Sequence, residues 1–173
     1  MPTATYEYIG SATSTGSSNT LNVGSIPNTY KHLKVVMMLR SSDSRNGGQS
    51  VAVYFNGSQG SAYSKLEMYG SGTTIGSYGQ FNGGAIEASC FMNGSRSGLY
   101  FMNEWLIMDY AATDKYKSTL MRTGGFADTN NSGTALVTGL WTSQNAINQI
   151  TLVEGGSLPF VSGSSITVWG IAG

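Results

Sequence analysis

Charged residues are scarce: Asp, Glu, Lys and Arg make up 10% of the 173 residues, against about 25% in typical soluble domains. The nine acids and nine bases cancel to a formal net charge of zero. Without clustered Lys and Arg a surface cannot attract phosphate backbones by counterion release, which argues against a nucleic-acid partner. Cysteine occurs once, as Cys90, so no intrachain disulfide can form, and a thiol with no evident partner base reads as a small buried apolar residue. Histidine also occurs once, as His32, which excludes any multi-histidine metal site or histidine relay. No apolar run approaches the roughly eighteen residues of a spanning helix. The start MPTATYEYIG has neither the basic residues nor the apolar segment of a signal peptide. These features predict a protein soluble as made, with no membrane partner.

The chain is rich in glycine and short apolar alternations. Its 24 glycines are spread along the whole length, marking turns between short strands, and 173 residues suit one domain. In KHLKVVMMLR (31–40), Leu33, Val35, Met37 and Leu39 share one face, and in SVAVYFNG, Val51, Val53 and Phe55 do the same. Period two is the signature of a strand, and the polar loop between these segments predicts an antiparallel pair. GLYFMNEWLIMDY (98–110) is the longest apolar stretch and reads as a strand buried on much of both faces. AATDKYKSTL follows, with Asp114 placed to cap one helical turn. Further strands are expected at 4–9, 20–23, 65–69, 85–92 and 116–125, and in TALVTGLW, INQITLVEG and SITVWGI. Residues 70–84, GSGTTIGSYGQFNGG, read as an irregular surface loop or hairpin, since nothing helical follows to make a phosphate cradle. The expected fold is all-β: a single domain over residues 1–173, a jelly-roll-like sandwich or barrel of nine or ten mostly antiparallel strands, with residues 1–10 an arm or an added strand.

Catalytic chemistry is hard to assemble from these residues, and none is expected. His32 lies beside Lys31 and Lys34, with Asp43 the nearest carboxylate in sequence; as a base it would need an orienting acid. The carboxylates are Glu7, Asp43, Glu67, Glu87, Glu104, Asp109, Asp114, Asp128 and Glu154, and a glycosidase needs two of them across one cleft. Glu104 stands out, because it interrupts an apolar strand beside Trp105; facing solvent or pairing with a base on a neighbouring strand is the simpler expectation. DTNNSG (128–133) offers oxygen ligands without the spacing of a calcium loop and reads as a turn. The Asn-x-Ser triplets at Asn56, Asn93 and Asn130 read as turns too. Trp105, Trp141 and Trp169 sit in alternating segments, where core or subunit packing is expected before a sugar-stacking platform. No catalytic, cofactor-binding or metal-binding residue is assigned, and no cofactor is expected.

Three segments carry a resemblance. SIPNTYKHLKVVMMLRSS (25–42) holds an Ile-Pro-x-x-Tyr start to a strand that ends in Arg-Ser, and VAVYFNGSQGSAYS (51–64) holds a Phe-Asn-Gly turn. VTGLWTSQNAINQITLVEGGSLPFVSGSSITVWGIAG (137–173) holds a Trp-containing strand, an Ile-x-x-Ile-x-Leu strand, and a last strand with Gly before its final Ile. In this order and spacing the chain resembles a group of small structural proteins of tailed-bacteriophage virions. The resemblance implies a jelly-roll-like or notched β-barrel, usually trimeric. It also implies a place on the outer capsid surface as a cement or decoration protein, with the major capsid protein as partner, or in a fibre head. It carries over no catalytic residue. The chain departs from the common pattern at NEWLIMDYAATDKYKSTL (103–120). The expected function is accordingly a non-enzymatic cement protein made in the host cytoplasm, a homotrimer stabilising the shell. The alternative is a tail or fibre module that binds host surface glycan. Low charge with abundant Tyr, Met and Ser suits permanent packing against other surfaces.

Overall fold

A computed structural model describes residues 5–92, 94, 96–126 and 132–173. It is an all-β sandwich of twelve strands, more than the nine or ten expected: β1 (Tyr6–Thr13), β2 (Thr20–Val23), β3 (His32–Leu39), β4 (Gly48–Phe55), β5 (Tyr63–Ser71), β6 (Thr74–Gly83), β7 (Ile86–Phe91), β8 (Phe101–Ile107), β9 (Lys117–Gly125), β10 (Gly133–Trp141), β11 (Ile150–Glu154) and β12 (Ser165–Ile171). The large sheet runs β1-β12-β3-β8-β9-β10-β5-β6 and the small one β2-β11-β4-β7, with every ladder antiparallel. Two separate sheets make this a sandwich rather than a closed barrel. Only the β5–β6, β8–β9 and β9–β10 connections stay within one sheet.

The alternation read in 31–40 and 51–55 sets the core. Leu33, Val35, Met37 and Leu39 from β3, and Val51, Val53 and Phe55 from β4, are fully buried. The expected pairing of these strands is incorrect, however. β3 lies between β12 and β8 in the large sheet, and β4 between β11 and β7 in the small one, so the two face each other across the core. The chain changes sheets just after β3, where Arg40 bridges to Phe91 and Ser41 to Phe160. Between the sheets Phe55 stacks on Trp105 at 5.2 Å and meets Trp141 edge-on at 5.5 Å. The Phe55 N–H donates to the Tyr63 hydroxyl at 2.9 Å, which gives the buried phenol a partner in an otherwise apolar centre.

Other expectations need correction. β8 buries one face, with Phe101, Asn103, Trp105 and Ile107 inward, while Met102 faces out and is 45% exposed. Asp114 caps no helix: residues 108–116 form turns and bends between β8 and β9. Residues 74–83 are a full strand. A two-residue turn joins them to β5, with Gly72 at φ +57°, the Gly-x pattern of a type II′ hairpin turn. At the start of the chain, β1 is an edge strand paired with β12, so the described part of 1–10 is the added strand, and Met1 to Ala4 lie outside the described residues. β12 is enclosed between β1 and β3, as its alternation predicts.

The motifs behind the resemblance are connected parts of this frame. Pro27 accepts a hydrogen bond from the Tyr110 hydroxyl, and the Tyr30 ring lies directly on Gly170, where a β-carbon would collide with it. The Tyr30 hydroxyl donates to Glu7 at 2.9 Å. Arg40 reaches the carbonyls of Arg96 and Leu99, and Ser41 donates to Glu154. Asn56 and Gly57 both take positive φ, and Asn56 holds the backbone of Ala146, Asn148 and Gln149 through its side-chain amide. These residues brace loops and sheet crossings.

Candidate functional site: the outer face of the large sheet

The small sheet covers one face of the large sheet and leaves the other open. In antiparallel ladders facing residues share a side, so the registers place Val36 and Met38 of β3, Met102 and Leu106 of β8, Leu120 of β9, Leu136 and Leu140 of β10, Leu66 and Met68 of β5, and Ile75 of β6 together on the outer face. Exposure grows toward the β6 edge: Leu66 is 57% exposed, Met68 64%, Phe81 82% and Ile75 89%. Four strands cannot cover eight, and β6 packs mainly on β5. The hairpin therefore overhangs the sandwich, and Tyr69 and Tyr78 on its other side are also partly exposed.

Two open grooves cross this surface. One of about 450 Å³ is lined by Met68, Ile75, Arg122 and Leu136. The other, about 260 Å³, is lined by Leu66, Phe81, Thr138 and Leu140. Nearer the β1 edge, a groove of about 280 Å³ lies over Tyr6, Lys34, Glu104, Leu120 and Arg122. Glu104 holds Lys34 on one oxygen and Arg122 on the other, each at 2.5 Å. The hydrogen bond from Lys34, helped by Arg122, holds its carboxyl below the usual carboxylate range. Glu104 thus pairs with bases on both neighbouring strands, and a carboxylate fixed in its ionised form between two cations is poorly suited to donate a proton.

The remaining residues singled out in the sequence are dispersed. His32 lies beside Asp109, not Asp43. The Asp109 N–H donates to His32 Nδ1 at 3.0 Å, so that nitrogen is an acceptor and cannot at the same time pass a proton to the Asp109 carboxylate, which Lys31 and Lys115 engage. Asp43 is held by Arg45. Glu154 accepts from Ser41 and from the Leu158 N–H. Glu67 and Glu87 do converge, on the buried ammonium of Lys65, a triad the sequence reading missed because it joins β5 to β7 across the two sheets. Cys90 is fully buried, and burial pushes its thiol up to about 12. Trp105 and Trp141 are core residues, while Trp169 lies half-buried against Tyr8, ring centroids 5.6 Å apart. Most of DTNNSG, with Asp128 and Asn130, lies outside the described residues, as does Asn93. Among the described residues no group of three or more His, Cys, Asp or Glu is placed to hold a metal ion, and no helix is long and apolar enough to cross a membrane.

Fold and surface together define an all-β sandwich with one open, largely apolar sheet face. Compared with family models, with curated proteins and with solved structures, the chain matches none.

Proposed function

We propose that the protein is a non-enzymatic structural component of a virion, a cement or decoration protein that binds the major capsid protein on the outer capsid surface and stabilises the shell by adding buried contact area. The observation that carries this reading is the open face of the large sheet, where apolar side chains from six strands are exposed and the cations Lys34 and Arg122 are both paired with Glu104. Monomeric soluble proteins rarely expose a contiguous apolar patch beyond a few hundred Å²; a surface of this kind suits lasting association. Capsids with and without the protein, heated until they release DNA, test the reading: decorated capsids should release at the higher temperature, and equal release temperatures would count against a cementing role.

A second reading, a fibre-associated module that binds host surface glycan, is favoured by one feature. Tyr6, Tyr8 and Trp169 gather near the β1 edge, where a groove of about 300 Å³ lies over Tyr6, Lys34, Val36 and Trp169. Aromatic faces beside polar side chains suit sugar rings. Glycan-array binding that Trp169→Ala abolishes would support this reading; an array with no signal would remove it.

A further inference from the structure

The outer face divides into two halves of different character. From β1 to β9 it carries His32, Lys34, Glu104 and Arg122. From β10 through β5 to β6, no outward-facing charged side chain occurs among the described residues: the register places Thr134, Leu136, Thr138 and Leu140 beside Ser64, Leu66 and Met68, and these beside Ile75, Ser77 and Gly79. The β6 edge bounding this half, TIGSYGQFNG, is equally free of charge and of proline. Edge strands are commonly guarded by charges, proline or bulges. The opposite edge, β1, has such guards in Glu7 and in the irregularity between Tyr8 and Gly10. The β6 side has one such device, the irregularity opposite Tyr63 and Lys65 with Asn82 at φ +52°, but it lies at the end of the strand, and residues 74–79 pair regularly with β5 and carry neither charge nor proline.

Its shape and charge indicate what covers it. Ile75 and Phe81 protrude, and beside them run the grooves of about 450 and 260 Å³. Projections and recesses on one patch are what an isologous contact requires, since each copy supplies the same surface to the other. Arg122 reaches the larger groove from β9, but Glu104 pairs with it, so a charged partner would find little counter-charge here, whereas two copies of the patch meet with little repulsion. At the exposures of Leu66, Met68, Ile75, Phe81 and Leu136, with the threonines and serines between them, the patch offers on the order of 800 Å², about the per-partner area of a standard stable interface. We propose that the β10-β5-β6 half of the outer face is the contact between copies of this chain. The proposal rests on the reading of the open face as an assembly surface and names its partner.

Light scattering of the size-fractionated full chain, without capsids, tests it. The native protein should run at twice its 18.2 kDa mass, the closed pair that an isologous contact forms. Ile75→Asp and Phe81→Asp, at positions already largely in water, should return it to the single-chain mass with the circular dichroism spectrum unchanged. Thr134→Lys, on the same face and also exposed, is a third variant of independent folding risk and should do the same. A native protein that stays at the single-chain mass at every concentration overturns the proposal, and so does an oligomer that all three variants leave intact. Capsid binding by a single-chain native protein would overturn self-contact while leaving the assembly reading standing; failure of both would remove the two together.

Discussion

At the scale of single residues, the polar groups inside the sandwich are the most informative. Lys117 is fully buried at the start of β9, and its ammonium donates to the carbonyls of Ala112, Lys115 and Gln144. Those three bonds use all three of its protons, although burial lowers its pKa. Lys117→Met keeps the stem and removes the donors, leaving three carbonyls without that partner; it should destabilise the fold by about 1–3 kcal/mol in urea titration. Glu104 and Asp109 give a second prediction. The cations beside them hold both carboxyls below the usual range, Lys34 first for Glu104 and Lys31 first for Asp109. A folded pKa below the unfolded one contributes stability above the unfolded carboxylate range and loses it as pH falls through that range toward the folded pKa. The urea midpoint should therefore fall between about pH 5 and pH 3, and Glu104→Gln should flatten that slope. The pairing of Glu104 with a base on a neighbouring strand was among the expectations from the sequence, whereas the burial of Lys117 and the cations around Asp109 were not legible there. The inner residues of β9 are Lys117, Thr119, Met121 and Thr123, and Leu120 is among the outer ones. Its alternation shows a strand without showing which side is the core.

At the scale of elements, legibility followed burial contrast. β3, β4 and β12 were plain because each carries an apolar face in strict period two against a more polar one. β6 was read as a loop or hairpin because neither of its faces is buried for most of its length, so no hydrophobic period exists to be seen. The pairing of β3 with β4 failed for a different reason. Alternation reports that a face is buried, not whether the next strand lies beside it or opposite it, and the crossing after Leu39 depends on contacts far along the chain. Glycine placement belongs at this scale as well. Gly139 of β10 faces inward, where a β-carbon would lie 2.6 Å from Thr119 Oγ1 and 2.7 Å from Ile86 Cδ1, so its missing side chain lets β7 approach the large sheet. Gly139→Ala should force the sheets apart locally and cost about 1–3 kcal/mol, measured as a lower urea midpoint.

At the scale of the whole molecule, the sandwich has one committed face and one open one. The committed face holds the aromatic centre of Phe55, Trp105 and Trp141. The open face spreads exposed Leu, Met, Ile and Phe side chains across strands whose inner sides are in the core from β3 to β10, and onto β6, which overhangs it. The candidate site was only half visible beforehand: low charge with abundant Tyr and Met pointed to packing against other surfaces, but those packing residues come from strands distant in sequence and share a face only through the ladders. Hydroxyl-radical footprinting of the assembled protein tests the central claim most directly. Met68 and Phe81 should be shielded in the assembly and oxidised freely in Ile75→Asp, while exposed Tyr116, in the segment between β8 and β9 and outside the β10-β5-β6 half, should react equally in both. Equal oxidation of Met68 and Phe81 in the native protein and in the variant would contradict the account.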